Sequence, residues 1–262
     1  MITSSQNNRI KTVRALLTQR QERLQYQQYV IEGVRLVEEA VANGIIPALV
    51  LYSIQLSDRG FRILDKLEES NCEIQEITPS LMHSLSDTDT PQGILAVIPM
   101  QSAVLPKDAN FIVLADQLRD PGNMGTLLRT SLAAGVQAVI LTSGTTDVYA
   151  PKIVRSAMGA HFRLPLVECS WEEIEAWRQA SNPAPTFWIS DVREGTACWE
   201  ADLRTPLMLG IGGEAEGMSS TAFSIPHQKI HIPMRGQSES LNASIAAGIL
   251  IFEVIRQRSI PT

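Results

Sequence analysis

Three stretches of the chain gather residue types that can do chemistry at spacings that could serve one site: LADQLRDPGNMGTLLRTSLAAG (residues 114–135), LMLGIGGEAEGMSS (207–220) and HIPMRGQSESLNASIAAGILIFEV (231–254). In the first, Asp120-Pro121-Gly122 makes a tight turn and a helix begins near Asn123. That much is an ordinary capped turn. Arg129 is different, because small and apolar residues flank it: Met124, Leu127, Leu128, Leu132 and Ala133. Such a guanidinium is expected to point into a cleft, toward an anion or a carboxylate. The second stretch places glycines at 210, 212, 213 and 217, which lets backbone approach a ligand closely. Its spacing is neither a P-loop nor GxGxxG. Glu214 and Glu216 would repel a phosphate and suit a cationic, amine or hydroxyl-bearing ligand. In the third, Ser240 and Asn242 precede an apolar helix carrying Ile245, Ile249, Leu250, Ile251, Phe252, Val254 and Ile255. Both are capping types, and such a helix is buried or packs on another subunit.

Each stretch begins on an apolar run that reads as a strand: FIVLA, LMLGI and KIHIP. Further strands are expected at AVILT and TFWIS, with helices from about Asn123 to Ala134 and near Val148 to Met158. Alternating strands and helices predict an α/β domain on a mostly parallel sheet, whose ligands gather outside the carboxyl ends of the strands. The front hundred residues read as a smaller α/β unit. VIEGVRLVEEAVANG repeats Val30, Val34, Val37 and Val41 at helical spacing with Gly44 as stop, followed by strand IIPALVLY, helix RGFRILDKLEES, and strands CEIQEI and GILAVIP. The proline-bearing stretch PMQSAVLPKDAN separates the two, giving domains at 1–100 and 110–262 with a linker at 101–109.

The 262 residues carry a formal charge of -6, which gives no global reason to expect a nucleic-acid partner. The charge is uneven, however. Between Met1 and Gln25 stand Arg9, Lys11, Arg14, Arg20 and Arg23 against the single acid Glu22, a basic arm compatible with phosphate binding or with a solvated helix. Three scattered cysteines suggest neither a disulfide framework nor a zinc site. His227 and His231 are bracketed by Pro226 and Pro233, so they share no helical face and no metal is expected. Without a signal-peptide pattern or an apolar run of membrane-spanning length, the chain reads as cytoplasmic.

Together DQLRDPGNMGTLLRTSLAAG, LGIGGEAEG and IPMRGQSESLNASIAAGILIFE resemble the three motifs of the SpoU (TrmH) family of RNA ribose methyltransferases, in the SPOUT superfamily, from about Phe111 to Val254. The front part, with TSSQNNRIKTVRALL, VIEGVRLVEEA and PQGILAVI, resembles an L30e-like RNA-binding domain. The resemblance implies a SPOUT-type parallel sheet with a C-terminal trefoil knot, an exception to the rule against threaded loops. It implies that S-adenosylmethionine binds at Gly210, Ile211, Gly212, Ile232, Met234 and Leu241. Arg129 would act on the ribose 2'-hydroxyl, with Asn123, Glu214, Ser240 and Asn242 positioning it and the phosphate. Arg9, Lys11, Arg14 and Arg35 become candidate RNA contacts. A homodimer with a shared site is implied, and a structured RNA as substrate, ribosomal ahead of transfer RNA by domain arrangement. An antibiotic-resistance member would look similar. Two other classes remain: a non-catalytic RNA-binding module, which the complete residue set opposes, and a nicotinamide-dependent oxidoreductase, which lacks the required GxGxxG.

Overall fold

Gly33 divides what the valine spacing presents as one helix. Its φ of 102° lies where only glycine is comfortable, so the chain turns there. Residues before it form strand β1 (Gln28–Glu32), in which Val30 pairs with Val97, and residues after it form helix α3 (Val34–Ala42). The expected helix therefore begins four residues after Val30. The computed structural model describes residues 1–70, 72–214, 216–236 and 239–260. It forms two compact units, Met1–Ser102 with Asp147–Phe162, and Ala103–Thr146 with Arg163–Thr262.

In the first unit, α1 (Asn8–Thr18) and α2 (Arg20–Tyr26) precede β1 and α3. There follow β2 (Leu49–Tyr52), α4 (Asp58–Glu68), β3 (Glu73–Glu76), α5 (Pro79–Leu85) and β4 (Ile94–Pro99). The sheet order is β1-β4-β2-β3, with β4 antiparallel to both neighbours and β2 parallel to β3. Side chains alternate between two cores, one closed by Val37, Ile63, Leu64 and Leu67 from α3 and α4, the other by Ile10, Val13, Leu16, Leu81 and Met82 from α1 and α5. Helix α1 is thus a wall of the core and not a free arm. Its Arg9 is ion-paired with Glu73, its Arg14 donates to the Ser84 hydroxyl at 3.5 Å, and Arg23 on α2 is buried, so these cations are engaged within the chain.

The second unit contains β5 (Phe111–Asp116), α6 (Pro121–Ala133), β6 (Ala138–Leu141), β7 (Leu166–Glu168), α8 (Trp171–Ala180), β8 (Thr186–Asp191), β9 (Thr196–Ala197), β10 (Leu207–Gly212), β11 (Gln228–His231) and α9 (Ala243–Ser259). All strand pairs in its sheet, ordered β7-β6-β5-β10-β8-β11-β9, are parallel. The central strands β5 and β10 are buried at nearly every position, as expected where helices cover both faces. Arg258 fixes the far end of α9 by donating to the carbonyls of Asn110, Leu203 and Thr205 at 2.9–3.1 Å.

Between β6 and β7 lies helix α7 (Pro151–Ser156), within a segment that the sequence spacing places in the second domain. The segment packs in the first unit instead. Val154 and Phe162 join the core against α3 and α4, and Tyr149 and His161 stack near Tyr29 with ring centroids 5.0 and 5.9 Å away. Burial pushes His161 down to about 4, so it stays neutral while its Nε2 bonds the Val148 carbonyl at 2.7 Å. Asp147 accepts from Arg23 Nε at 2.9 Å, and the Arg23 side chain is 5% exposed. Removing one partner of so buried a pair leaves an uncompensated charge, so Asp147→Ala is expected to cost about 3 kcal/mol in urea unfolding. A loss below roughly 1 kcal/mol would mean that water already solvates Arg23.

Candidate active site

The site lies where the parallel-sheet rule places it, outside the carboxyl ends of β8, β10 and β11. After β10 the chain turns at Gly213 and returns at Gly217, the two exchanging backbone hydrogen bonds of 3.0 Å. A Cβ on Gly212 would lie 2.2 Å from the Gly217 carbonyl carbon, so the return leg requires a glycine beneath it. This loop, the end of β8, the stretch after β11 and the start of α9 enclose a cavity of about 590 Å³. Ile211, Gly212, Ile232, Met234, Leu241, Glu214, Ser240 and Asn242 all line it. Gly210 does not. It lies one position deeper in the strand, where a Cβ would press on Phe187 and Met218 at 2.9 and 3.0 Å.

Hydrogen bonds join three of the expected polar residues in one direction. Asn242 caps α9, its Oδ1 accepting from the N–H groups of Ser244 and Ile245 at 3.0 and 3.2 Å. This fixes the amide, so Nδ2 must face outward, and it donates to Asn123 Oδ1 at 2.9 Å. The Ser244 hydroxyl lies 3.1 Å from the same oxygen. Asn123 is held in turn by its own backbone N–H, which donates to Asp120 Oδ1 at 2.7 Å. Its Nδ2 is thereby directed at Glu214 Oε1, 2.5 Å away. The first turn of α6, the glycine loop and the cap of α9 are thus locked into one arrangement at the cavity rim.

Arg129 lies elsewhere. Met124, Leu127, Leu128 and Ser131 take the buried face of α6, which leaves Arg129 exposed. It does not line the cavity, and among the described residues it makes no hydrogen bond or ion pair. The four candidate RNA contacts are also divided, with Arg9, Lys11 and Arg14 on α1 over one sheet face and Arg35 on α3 over the other.

Asp191 belongs to the cavity although the spacing did not single it out. Burial would raise its pKa, but the N–H groups of Arg193 and Glu194 and the Lys229 ammonium outweigh this and hold it below the usual range. Its signal was an acid ending the apolar strand TFWISD. The cavity therefore carries three acidic side chains, Asp191, Glu214 and Glu216, no cation among its described lining residues, and apolar surface from Ile211, Met218, Ile232 and Leu241. That donor set fits a ligand with a cationic centre and a flat apolar part. Among the described residues no cluster of His, Cys, Asp or Glu could hold a metal.

Comparison with known proteins gives the same picture. The chain is 32% identical to the Bacillus subtilis 23S rRNA (guanosine(2553)-2'-O)-methyltransferase RlmP, over 97% of this chain and 98% of that one. It is also 32% identical to the Streptomyces viridochromogenes 23S rRNA (uridine(2479)-2'-O)-methyltransferase, over 97% and 92%. The crystal structure of the SpoU methyltransferase AviRb from Streptomyces viridochromogenes in complex with AdoMet superposes with a TM-score of 0.86 at 31% identity, covering 96% of this chain and 99% of that one. An AdoMet-bound rRNA methyltransferase from Sinorhizobium meliloti superposes with a TM-score of 0.87 at 27% identity, covering 97% of each. Residues 7–96 match the MRM3-like substrate binding domain. Residues 110–252 match the SpoU rRNA Methylase family, and the chain belongs to that family.

Proposed function

We propose that this protein transfers a methyl group from S-adenosylmethionine to a ribose 2'-hydroxyl of a structured RNA, with 23S ribosomal RNA as the substrate. The observation that carries this is the cavity itself: three acidic side chains with no cation among the described lining residues, Lys229 reaching Asp191 from outside the lining, walled by backbone and apolar side chains, and edged by the Asn242–Asn123–Glu214 relay. S-adenosylmethionine supplies a methyl group activated by a sulfonium, so the protein has mainly to orient two reactants and manage one proton. In this reading Ile211, Gly212, Ile232, Met234 and Leu241 hold the cofactor, while Asn123, Glu214, Ser240 and Asn242 orient the ribose. Arg129 binds the adjoining phosphate or the oxygen that gains charge as its proton leaves. A guanidinium does this without losing its proton, whereas a general-base role would demand that it did.

Since Arg129 does not line the chain's own cavity, the reading includes a homodimer in which one copy's Arg129 serves the other's site. Ile245, Ile249 and Phe252 form a stripe on α9 that is 56%, 41% and 50% exposed, and a second copy would cover it. The knot implied by the family's motifs and a cytoplasmic location belong to the same reading. Among the described residues no helix is long and apolar enough to cross a membrane. For the RNA, the cations of α1 are partly engaged, while Arg35 and Arg59, the latter ion-paired with Glu38, stand beside Gln55, Ser57 and Gln92 around a groove of about 390 Å³. That groove offers donors and charge to a nucleic-acid backbone, and RNA binding is expected to weaken as salt rises.

The test is to supply methyl-labelled S-adenosylmethionine with total RNA lacking ribose methylation, free and in assembling ribosomal particles, and to map the label. One 2'-oxygen of 23S RNA is the expected destination. Label on transfer RNA would replace the substrate, and label on a base or on no RNA in either form would sink the reading.

A further inference from the structure

Among the described residues Asp116 is the acid with no solvent exposure, and it does not line the cavity. A charged group in that position needs a reason, because burial is costly unless it is paired or hydrogen-bonded. Asp116 ends β5 beside Gly212 of β10. Its Oδ1 accepts from the Thr142 hydroxyl at 2.5 Å, and its Oδ2 from the backbone N–H of Ser219 at 2.6 Å. Thr142 is itself fixed, its N–H donating to the Ala115 carbonyl at 3.2 Å. Ser219 follows Gly217 and Met218, the return leg of the glycine loop and part of the cavity wall.

We infer that Asp116 is a positioning residue for the cofactor: it pins the return leg of the glycine loop from beneath, so that the cavity is formed before the cofactor arrives. The inference rests on the proposal that this cavity is the cofactor site. The leg passes over Gly212, where a side chain would collide with it, so no side chain at that position can brace it from below. The Asp116 carboxylate braces it from the adjacent strand. Without that contact the leg would sample other conformations, and the cofactor would have to order it on binding, which weakens affinity. Chemistry at saturating cofactor would be little changed, because Asp116 reaches neither reactant.

Asp116→Ala removes both acceptors, so the Ser219 N–H and the Thr142 hydroxyl lose their shared partner. Calorimetry with S-adenosylmethionine on the full chain should show Kd rising about 10-fold, a loss of about 1.4 kcal/mol. The kcat at saturating cofactor should stay within about threefold, and the KM for RNA should not move. Thr142→Val, which removes one donor, should shift Kd in the same direction by less, and Thr142→Ser should restore it. Thermal melting establishes that each variant is folded, and if Asp116→Ala is not, Thr142→Val and Thr142→Ser decide the question. Leu241→Arg, which fills the cavity, separates the two claims. If it binds the cofactor as the natural chain does, the cavity assignment fails. If it abolishes binding while the folded Asp116 and Thr142 variants bind normally, or lose kcat with Kd unchanged, the role of Asp116 is overturned.

Discussion

Arg129→Ala is expected to lower kcat for RNA methylation about 100- to 1,000-fold, the scale of removing one preorganised group that stabilises developing charge. The structure adds a second, sharper expectation: Kd for S-adenosylmethionine should not change. Arg129 lies almost two turns beyond Asn123 on α6, roughly 9 Å along the axis, and does not line the cavity. A fall in cofactor affinity in a folded Arg129→Ala protein would contradict this placement. Arg129→Lys distinguishes the two chemical roles. If the guanidinium binds an anion, lysine keeps the charge but not the bidentate geometry, and activity should be low with no recovery in alkaline buffer. Recovery with rising pH would identify a proton acceptor. In mixed dimers of an Arg129→Ala subunit with a Leu241→Arg subunit, one intact site should reappear if the site is shared between copies.

Asn123→Asp is expected to lower activity about 100-fold, although the change replaces only NH2 by oxygen. The oxygen that faces Asn242 and Ser244 continues to accept from both. The other now meets Glu214 Oε1 at the 2.5 Å position that an N–H had occupied, and two carboxylates at that separation repel. Glu214 must swing away or take up a proton, and in either case the rim of the cavity loses its order. The double change Asn123→Asp with Glu214→Gln restores a donor on the opposite side of the same hydrogen bond. It should recover the melting temperature lost by Asn123→Asp. If Asn123→Asp alone matches the natural chain in both rate and stability, the relay has no part in the site.

The site was largely legible because its residues sit in loops punctuated by glycine, proline and capping residues that follow unmistakable apolar strands. FIVLAD, LMLGIG and QKIH all became parallel strands, and the loops after the latter two supplied much of the cavity lining. What spacing could not convey was direction. The apolar neighbours of Arg129 suggest a buried face, but at 100° per residue they leave that position outside. Gly210 shares the glycine pattern with Gly212, yet it does not line the cavity, and a Cβ there would press on Phe187 and Met218. Val30 fits a helical repeat and lies in a strand, since one glycine with positive φ outweighs periodicity across it. Asp116 passes as the polar end of a strand, because its partners Thr142 and Ser219 are 26 and 103 residues away.

Residues 147–162 give the protein an unusual resistance to being divided. The polypeptide crosses between its two units after residues 102, 146 and 162, so no single cut releases either one intact. A fragment ending at the linker would lack Val154 and Phe162 from its core and would leave the buried Arg23 without its counter-ion. The complementary piece would carry a sixteen-residue excursion with nothing to rest on. Two units joined by one linker can be recombined by simple joining of genes, each free to find a new companion. Here the substrate-binding portion is stitched through the catalytic one, and a lineage that discarded it would also have to rebuild the crossing from β6 to β7.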